Sequence, residues 1–201
     1  YCSDDSTATV TLTGTTGGVY TSSPELSIDA STGLINIANS QLGSYTVVYT
    51  VAAAAGCSAF QTSTDVSIVE PGQWTGLVNT DWGNAGNWQC GNLPNAATNV
   101  TIHTGLDHYP VINTTRTLKN LVIEAGARIE VNGGTLQIAG SSSNAGIFYV
   151  STVTLRMNGT KLLTIPENAF TNHVIKNLVI SNDVVIVGTD TLTGTLSFGA
   201  S

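Results

Sequence analysis

Charge is scarce in this chain of 201 residues: only 9% are Asp, Glu, Lys or Arg. The segment 1–70 contains no Lys or Arg at all, against six acids: Asp4, Asp5, Glu25, Asp29, Asp65 and Glu70. Phosphate binding needs clustered cations, so this balance argues against a nucleic-acid partner. No run of 18 apolar residues occurs, so no membrane span is expected. One Met and few Lys or Glu leave the chain short of strong helix formers. Three cysteines, Cys2, Cys57 and Cys90, form no C-x-x-C or Cys/His cluster, which argues against structural zinc. The patterns G-x-S-x-G, H-E-x-x-H, the phosphate loop and the EF-hand are all missing. An initiator Met and a signal-like segment are missing too, and the chain reads as an excised piece of a larger protein.

What is present is apolar and hydroxylated. Apolar residues reach 41%, Gly supplies 21 positions, and Ser and Thr supply 18 and 30. Polarity carried by hydroxyls and amides suits strands and turns, so the chain is read as all-β. Residues 71–201 hold seven acids and six bases. That shift in charge, with the turn residues Glu70-Pro71-Gly72, predicts a boundary between a domain at 1–70 and another at 71–201. Cys2 and Cys57 bracket the first domain, and a disulfide between them is expected. Closing that loop is worth about 4 kcal/mol in the chain-entropy account and implies an oxidising compartment. Cys90 is left over.

In the first domain, apolar and polar residues alternate through Ala8-Thr9-Val10-Thr11-Leu12-Thr13. Val19-Tyr20, Leu26 to Asp29, Gly33 to Ile37, Gly43 to Val51 and Phe60 to Val69 supply further short strands between turns. Five to seven strands in so short a segment fit a small immunoglobulin-like β-sandwich. The series Leu12-Thr13-Gly14, Gly17-Gly18-Val19-Tyr20, Leu26-Ser27-Ile28-Asp29, Thr32 to Asn36, Gly43 to Val51 and Gly56-Cys57 resembles a repeat of giant secreted surface proteins of Bacteroidetes. Many of those proteins are related to gliding adhesins or to cargo of the type IX secretion system. The resemblance implies tandem neighbouring modules, secretion or cell-surface machinery as partners, and an extracellular, surface-attached location.

The second domain repeats. Lys-Asn-Leu-Val-Ile occurs at 119–123 and 176–180, with the strand-like run Ile147-Phe148-Tyr149-Val150 between them. The starting points 119, 147 and 176 are almost equally spaced, which predicts a solenoid of one coil per repeat. The expected coils are 119–123, 127–131 and 135–139; then 147–150, 153–157 and 161–165; then 176–180, 184–187 and 194–198. Leu121, Ile123, Ile129, Val131, Leu136 and Ile138 should face inward, with Val122, Glu130 and Gln137 outward. Asn120 and Asn177 take equivalent places and are candidates for an amide ladder. The last strand, Gly194 to Phe198, would expose an edge, so the coil stack is expected to continue past 201.

Trp74, Trp82 and Trp88 lie together ahead of the coils. They are read as a cap over the apolar end of the solenoid. The alternative is a carbohydrate platform, because a flat indole stacks on sugar faces. Trp74-Thr75-Gly76, Asp81-Trp82, Asn87-Trp88 and Pro94, followed by Pro110 to Asn113 and both Lys-Asn-Leu-Val-Ile copies, resemble the β-helical domains of bacterial surface proteins. That resemblance implies a right-handed parallel β-helix.

Candidate chemistry is thin. Asp107, Asp183 and Asp190 are scattered, as are Arg116, Arg128 and Arg156, although Arg128 and Arg156 could form a stripe on successive coils. His103 and His108 share a loop with Asp107, too few ligands for a metal site. Asp4-Asp5 is a candidate for Ca²⁺ between modules; no other cofactor is expected. Asp5-Ser6-Thr7 and Asp190-Thr191-Leu192 resemble O-glycosylation sites of Bacteroidetes secreted proteins, which implies glycans on Ser6 and Thr191. The expected function is therefore a non-enzymatic extracellular, adhesin-like scaffold. A carbohydrate-binding module on Trp74, Trp82 and Trp88 comes second, and a polysaccharide-degrading β-helix third.

Overall fold

The computed structural model describes residues 1–54, 56–158, 163–165, 170, 174–181 and 183–199. It is all-β, and the chain divides into two units, Tyr1–Glu70 and Pro71–Ser201.

The first unit holds strands β1 (Thr7–Thr9), β2 (Val19–Thr21), β3 (Leu34–Asn36), β4 (Gly43–Val51) and β5 (Phe60–Ile68). β2, β4 and β5 form an antiparallel sheet in the order β2-β4-β5, and β1 pairs antiparallel with β3. Period-two alternation drives β4: Tyr45, Val47 and Tyr49 are buried while Ser44 and Thr46 are exposed. Those buried residues pack with Tyr20, Leu26, Ile35, Ile37, Val66 and Ile68 into one core. The phenol of Tyr49 accepts from Gly18 N–H at 2.7 Å and donates to the Thr15 carbonyl at 3.1 Å, fixing the crossing loop. The alternation through 8–13 predicts a longer strand there, but pairing stops just after Thr9. Val10 N–H still reaches the Gly33 carbonyl, and β3 offers nothing beyond that.

The expected Cys2–Cys57 bridge is not formed. Cys57 is a free, exposed thiol, whereas Cys2 and Cys90 are half-cystines. Cys2 lies beside Val69, just past the end of β5, while Cys57 precedes its start. A nine-residue strand at about 3.3 Å per residue is roughly 27 Å long. A disulfide tolerates Cα atoms only about 4.4–6.8 Å apart. Bracketing a domain in sequence put the two thiols at opposite ends of one strand.

The second unit is a β-solenoid of about four turns. One face stacks β6 (Gln73–Trp74), β7 (Asn99–Ile102), β10 (Asn120–Ile123) and β13 (Ser142–Asn144) in parallel. A second face stacks β8 (Val111–Ile112), β11 (Arg128–Val131) and the start of β14 (Ile147–Met157), followed by the start of β16 (Val174–Ile180) and β18 (Thr191–Leu192). A third stacks β9 (Arg116–Leu118), β12 (Thr135–Ile138), the ends of β14 and β16, and β19 (Leu196–Phe198). β15 (Leu163–Ile165) pairs in parallel with β17 (Val184–Ile186). β14 turns the corner between two faces without a break, through a register shift between Val150 and Thr154.

Columns of like residues fill the interior, with Leu136, Leu155, Leu178 and Leu196 in one register and Leu118, Ile138, Met157, Ile180 and Phe198 in another. Leu121, Ile123, Ile129, Val131, Leu136 and Ile138 are buried and Val122 is exposed, as their alternation predicts. Each fully buried aliphatic side chain contributes about 1.5–3 kcal/mol. The columns end in exposed side chains, Leu196 at 46% and Phe198 at 77%.

The coil is shorter than the expected one. Val100 pairs with Leu121 and Leu121 with Ser142 on the first face, and Arg128 pairs with Ile147 on the second. The step from 119 to 147, like that from 147 to 176, therefore covers one coil and one further face. The copy at 119–123 lies on the first face, Ile147 on the second and Lys176–Ile180 on the third. The strands expected at 119–139 form one coil; those expected at 147–150 and 153–157 lie in β14 and that at 161–165 in β15, with 161–162 outside the described residues. The strands expected at 176–180, 184–187 and 194–198 are formed as β16, β17 and β19, but β19 pairs with β16, so they do not make up a single coil.

Candidate functional site

The densest polar and aromatic constellation lies at the start of the solenoid. Gln73–Trp74 pairs with β7, and Asp81 bridges in parallel to Val111 of β8, so residues 73–88 lay a partial rung over the first coil. Trp74, Trp82 and Trp88 are 1%, 1% and 3% exposed. Trp74 and Trp88 meet edge to face at 5.0 Å between ring centres, and Trp82 and Trp88 do so at 4.6 Å. Trp74 and Trp82 stack at 6.3 Å. Trp74 Nε1 donates to the His108 carbonyl at 2.8 Å, and Trp88 Nε1 to the Trp82 carbonyl at 2.9 Å. Sugar stacking needs a ring face open to solvent. These faces are covered by one another and by the core, so the platform expected of Trp74, Trp82 and Trp88 is not offered.

Asn87 organises this rung and is completely buried. Its Oδ1 accepts from the Val78 and Asn79 N–H groups at 2.9 and 3.0 Å. Its Nδ2 donates to Asn79 Oδ1 and to the Asp81 carbonyl, both at 2.9 Å. The Asn87 carbonyl accepts from Thr75 N–H at 2.7 Å and Thr75 Oγ1 at 2.8 Å. All four hydrogen-bonding places of the carboxamide are filled. In sequence Asn87 stands out only as the neighbour of a tryptophan, and its role was not legible there.

Outside the rung, His103 spans three strands. Its Nδ1 lies 2.9 Å from Glu124 Oε1 and its Nε2 lies 2.7 Å from Gln73 Oε1, so both ring nitrogens face oxygen. The hydrogen bond with His103, followed by one from Thr104 N–H, holds the Glu124 carboxyl below its ordinary value. His108 turns away from that pair and meets the Gly76 carbonyl at 3.0 Å, while Asp107 is exposed. The loop therefore does not gather His103, His108 and Asp107. Among the described residues, no three His, Cys, Asp or Glu side chains converge in a metal-holding group.

The remaining candidates are dispersed. Arg128 sits on the second face opposite Ile147 and Arg156 on the third opposite Gln137, so the two form no stripe. Asn120 and Asn177 do not stack on each other. Asn120 donates to Asn99 Oδ1 at 2.7 Å and accepts from Ser141 N–H at 2.7 Å. Asn177 accepts from Thr195 N–H at 3.0 Å. Both asparagines thus receive the N–H that follows a glycine, Gly140 or Gly194, on the next coil. A Cβ on either glycine would run into the asparagine Oδ1 and the preceding lysine carbonyl. Ser6 and Thr191 are exposed, as are Asp4 and Asp5, and Asp5 accepts from Cys2 N–H at 3.1 Å.

Chemically, this arrangement ties one rung to the next through amide and imidazole groups and seals the first coil with indoles. No curated protein and no solved structure matches the chain. Residues 73–173, which begin at the first strand of the solenoid and include the tryptophan rung, match a family described as a domain of unknown function (DUF8693), and the chain belongs to that family.

Proposed function

We propose that the chain is a non-enzymatic structural segment of a large secreted, adhesin-like cell-surface protein. In this reading residues 1–70 are an immunoglobulin-like module, and residues 71–201 are a right-handed parallel β-helix that serves as a spacer. One observation carries it: the three tryptophans and several amide and imidazole side chains of the second unit are committed to neighbouring rungs. The three indoles are buried, Asn87 is saturated, and Asn99, Asn120, Asn177 and His103 reach across strands. Groups held this way stiffen a rod and leave no ring face for a sugar. The half-cystines Cys2 and Cys90 favour an oxidising compartment. The likeness to gliding-adhesin and type IX cargo repeats of Bacteroidetes supports export to the cell surface, with neighbouring modules as partners and glycans on Ser6 and Thr191.

The test joins location to binding. Antibodies against 71–201 should label intact cells. A glycan array and a polysaccharide panel with added Ca²⁺ should show neither binding nor turnover. Turnover of any polysaccharide overturns the reading. So does glycan binding that Trp82→Ala abolishes while melting stays unchanged.

A further inference from the structure

Asparagine followed by glycine occurs twice in the sequence, at Asn132-Gly133 and Asn158-Gly159, and Gly159 lies outside the described residues. Asn132 opens the corner at which the chain leaves β11 on the second face and enters β12 on the third. It is exposed. Its backbone N–H is anchored on the Ile112 carbonyl at 2.8 Å. Among the described residues, its carboxamide and the N–H of Gly133 make no hydrogen bond. The side chain is therefore free to turn, and the nitrogen next to it is not engaged.

The coil below explains the glycine. Continued past Val131 and Ile112, the register sets Asn132 over Asn113. A Cβ on Gly133 would run into the Asn113 carbonyl, and one on Gly134 into the backbone between Thr114 and Thr115. Two main chains approaching this closely is a setting that glycine alone tolerates. Asn113, at the same corner one coil below, is followed by the branched Thr114 instead. Stacking of the coils thus places, beside an exposed asparagine, the residue type whose backbone nitrogen no side chain shields.

We infer that the Asn132-Gly133 pair is a site of spontaneous deamidation in the folded protein. Gly133 N, giving its proton to solvent, bonds to Asn132 Cγ. The Cγ–Nδ2 bond breaks, and Nδ2 takes up a proton and leaves as ammonia. The product is a succinimide, which water opens at either carbonyl. Opening at Cγ gives aspartate. Opening at the main-chain carbonyl gives isoaspartate, in which the backbone runs through Cγ and is longer by a methylene. Both products place a new carboxylate at this corner. Isoaspartate also lengthens the link between β11 and β12 where Gly133 and Gly134 press on the coil below, and so loosens it. The inference goes beyond the spacer reading and does not rest on it, because it needs only this corner.

The test ages the full chain in mildly alkaline buffer, folded and, in parallel, unfolded in guanidinium chloride. Trypsin cuts after Arg128 and Arg156, so the peptide 129–156 carries Asn132 without Asn158. It also carries an internal control: Asn144 is followed by Ala145, and its Oδ1 accepts from Gly146 N–H at 2.9 Å. In the folded sample this peptide should show the mass change of amide to acid at Asn132 and not at Asn144, at a rate close to that of the unfolded sample. A methyltransferase specific for isoaspartate should label the same peptide. Asn132→Gln should abolish both signals, because its longer side chain cannot close the same ring. No mass change at Asn132 in the folded sample overturns the inference, whatever the unfolded sample shows. So does a mass change in 129–156 that persists in Asn132→Gln. Fragment masses assign the residue in the unsubstituted chain, so the outcome does not depend on the variant folding.

Discussion

The two units bury apolar side chains in opposite ways. In residues 1–70, two small antiparallel sheets share one core, and the strand at one edge leaves part of that core open. In residues 71–201, parallel strands repeat a single rung, so each residue buries its equivalent in the next rung. Two antiparallel sheets around a shared core need all their strands before any face is closed. A solenoid closes one rung at a time and leaves only its ends exposed. The tryptophan rung meets that need at the first coil.

This contrast makes the two units respond differently to substitution. Trp82→Ala should have the largest effect, about 3–5 kcal/mol, confined to the solenoid. All three tryptophans lie there, so denaturation followed by indole fluorescence reports that unit alone, while exchange of the β4 amides reports the other and should not change. Asn87→Ala comes next. It leaves the Val78 and Asn79 N–H groups and the Asp81 carbonyl without a partner, and should cost about 2–3 kcal/mol in the same measurement. Gly140→Ala pushes a methyl into Asn120 and the Lys119 carbonyl and should cost about 1–3 kcal/mol. Gly14→Ala in the first unit meets nothing within 4 Å and should stay within about 0.5 kcal/mol.

In each unit acid should act on a carboxylate held by hydrogen bonds. In the first, Thr32 N–H, the Thr32 hydroxyl and Ser31 N–H hold Asp29 below its ordinary value. In the second, His103 and Thr104 do the same for Glu124. A carboxylate with a depressed folded-state pKa contributes stability above its unfolded value and loses it as pH falls through the folded one. Urea denaturation across the acidic range should therefore flatten in the first unit for Asp29→Asn and in the second for Glu124→Gln. The smallest effect belongs to Cys57→Ser. Thiol titration of the unfolded, unreduced chain should drop from one group to none, with stability unchanged.

Much of the solenoid was legible because strand alternation is a local signal. Leu121, Ile123, Ile129, Val131, Leu136 and Ile138 can be placed inside from their spacing alone. The coil length was not legible in the same way. Two identical pentapeptides suggest one repeat unit, yet Asn120 and Asn177 occupy the same kind of corner on different faces. What they share is a glycine on the next coil, Gly140 for Asn120 and Gly194 for Asn177. A corner recurs three times per turn, so equal local chemistry does not specify equal rotation around the axis. The candidate site was harder still. The tryptophans announced themselves, but whether an indole is displayed or buried depends on what lies over it.

Composition and alternation by themselves determined that this chain forms strands, which residues face inward, and that 71–201 stacks upon itself. These follow from backbone geometry and the removal of apolar surface from water, which act within a short stretch of chain. Tertiary structure alone decided the length of the coil, the free Cys57, the saturated Asn87 and the open side of β5. Each depends on a partner far away in the chain, and its position is set only when distant rungs and strands come to lie side by side.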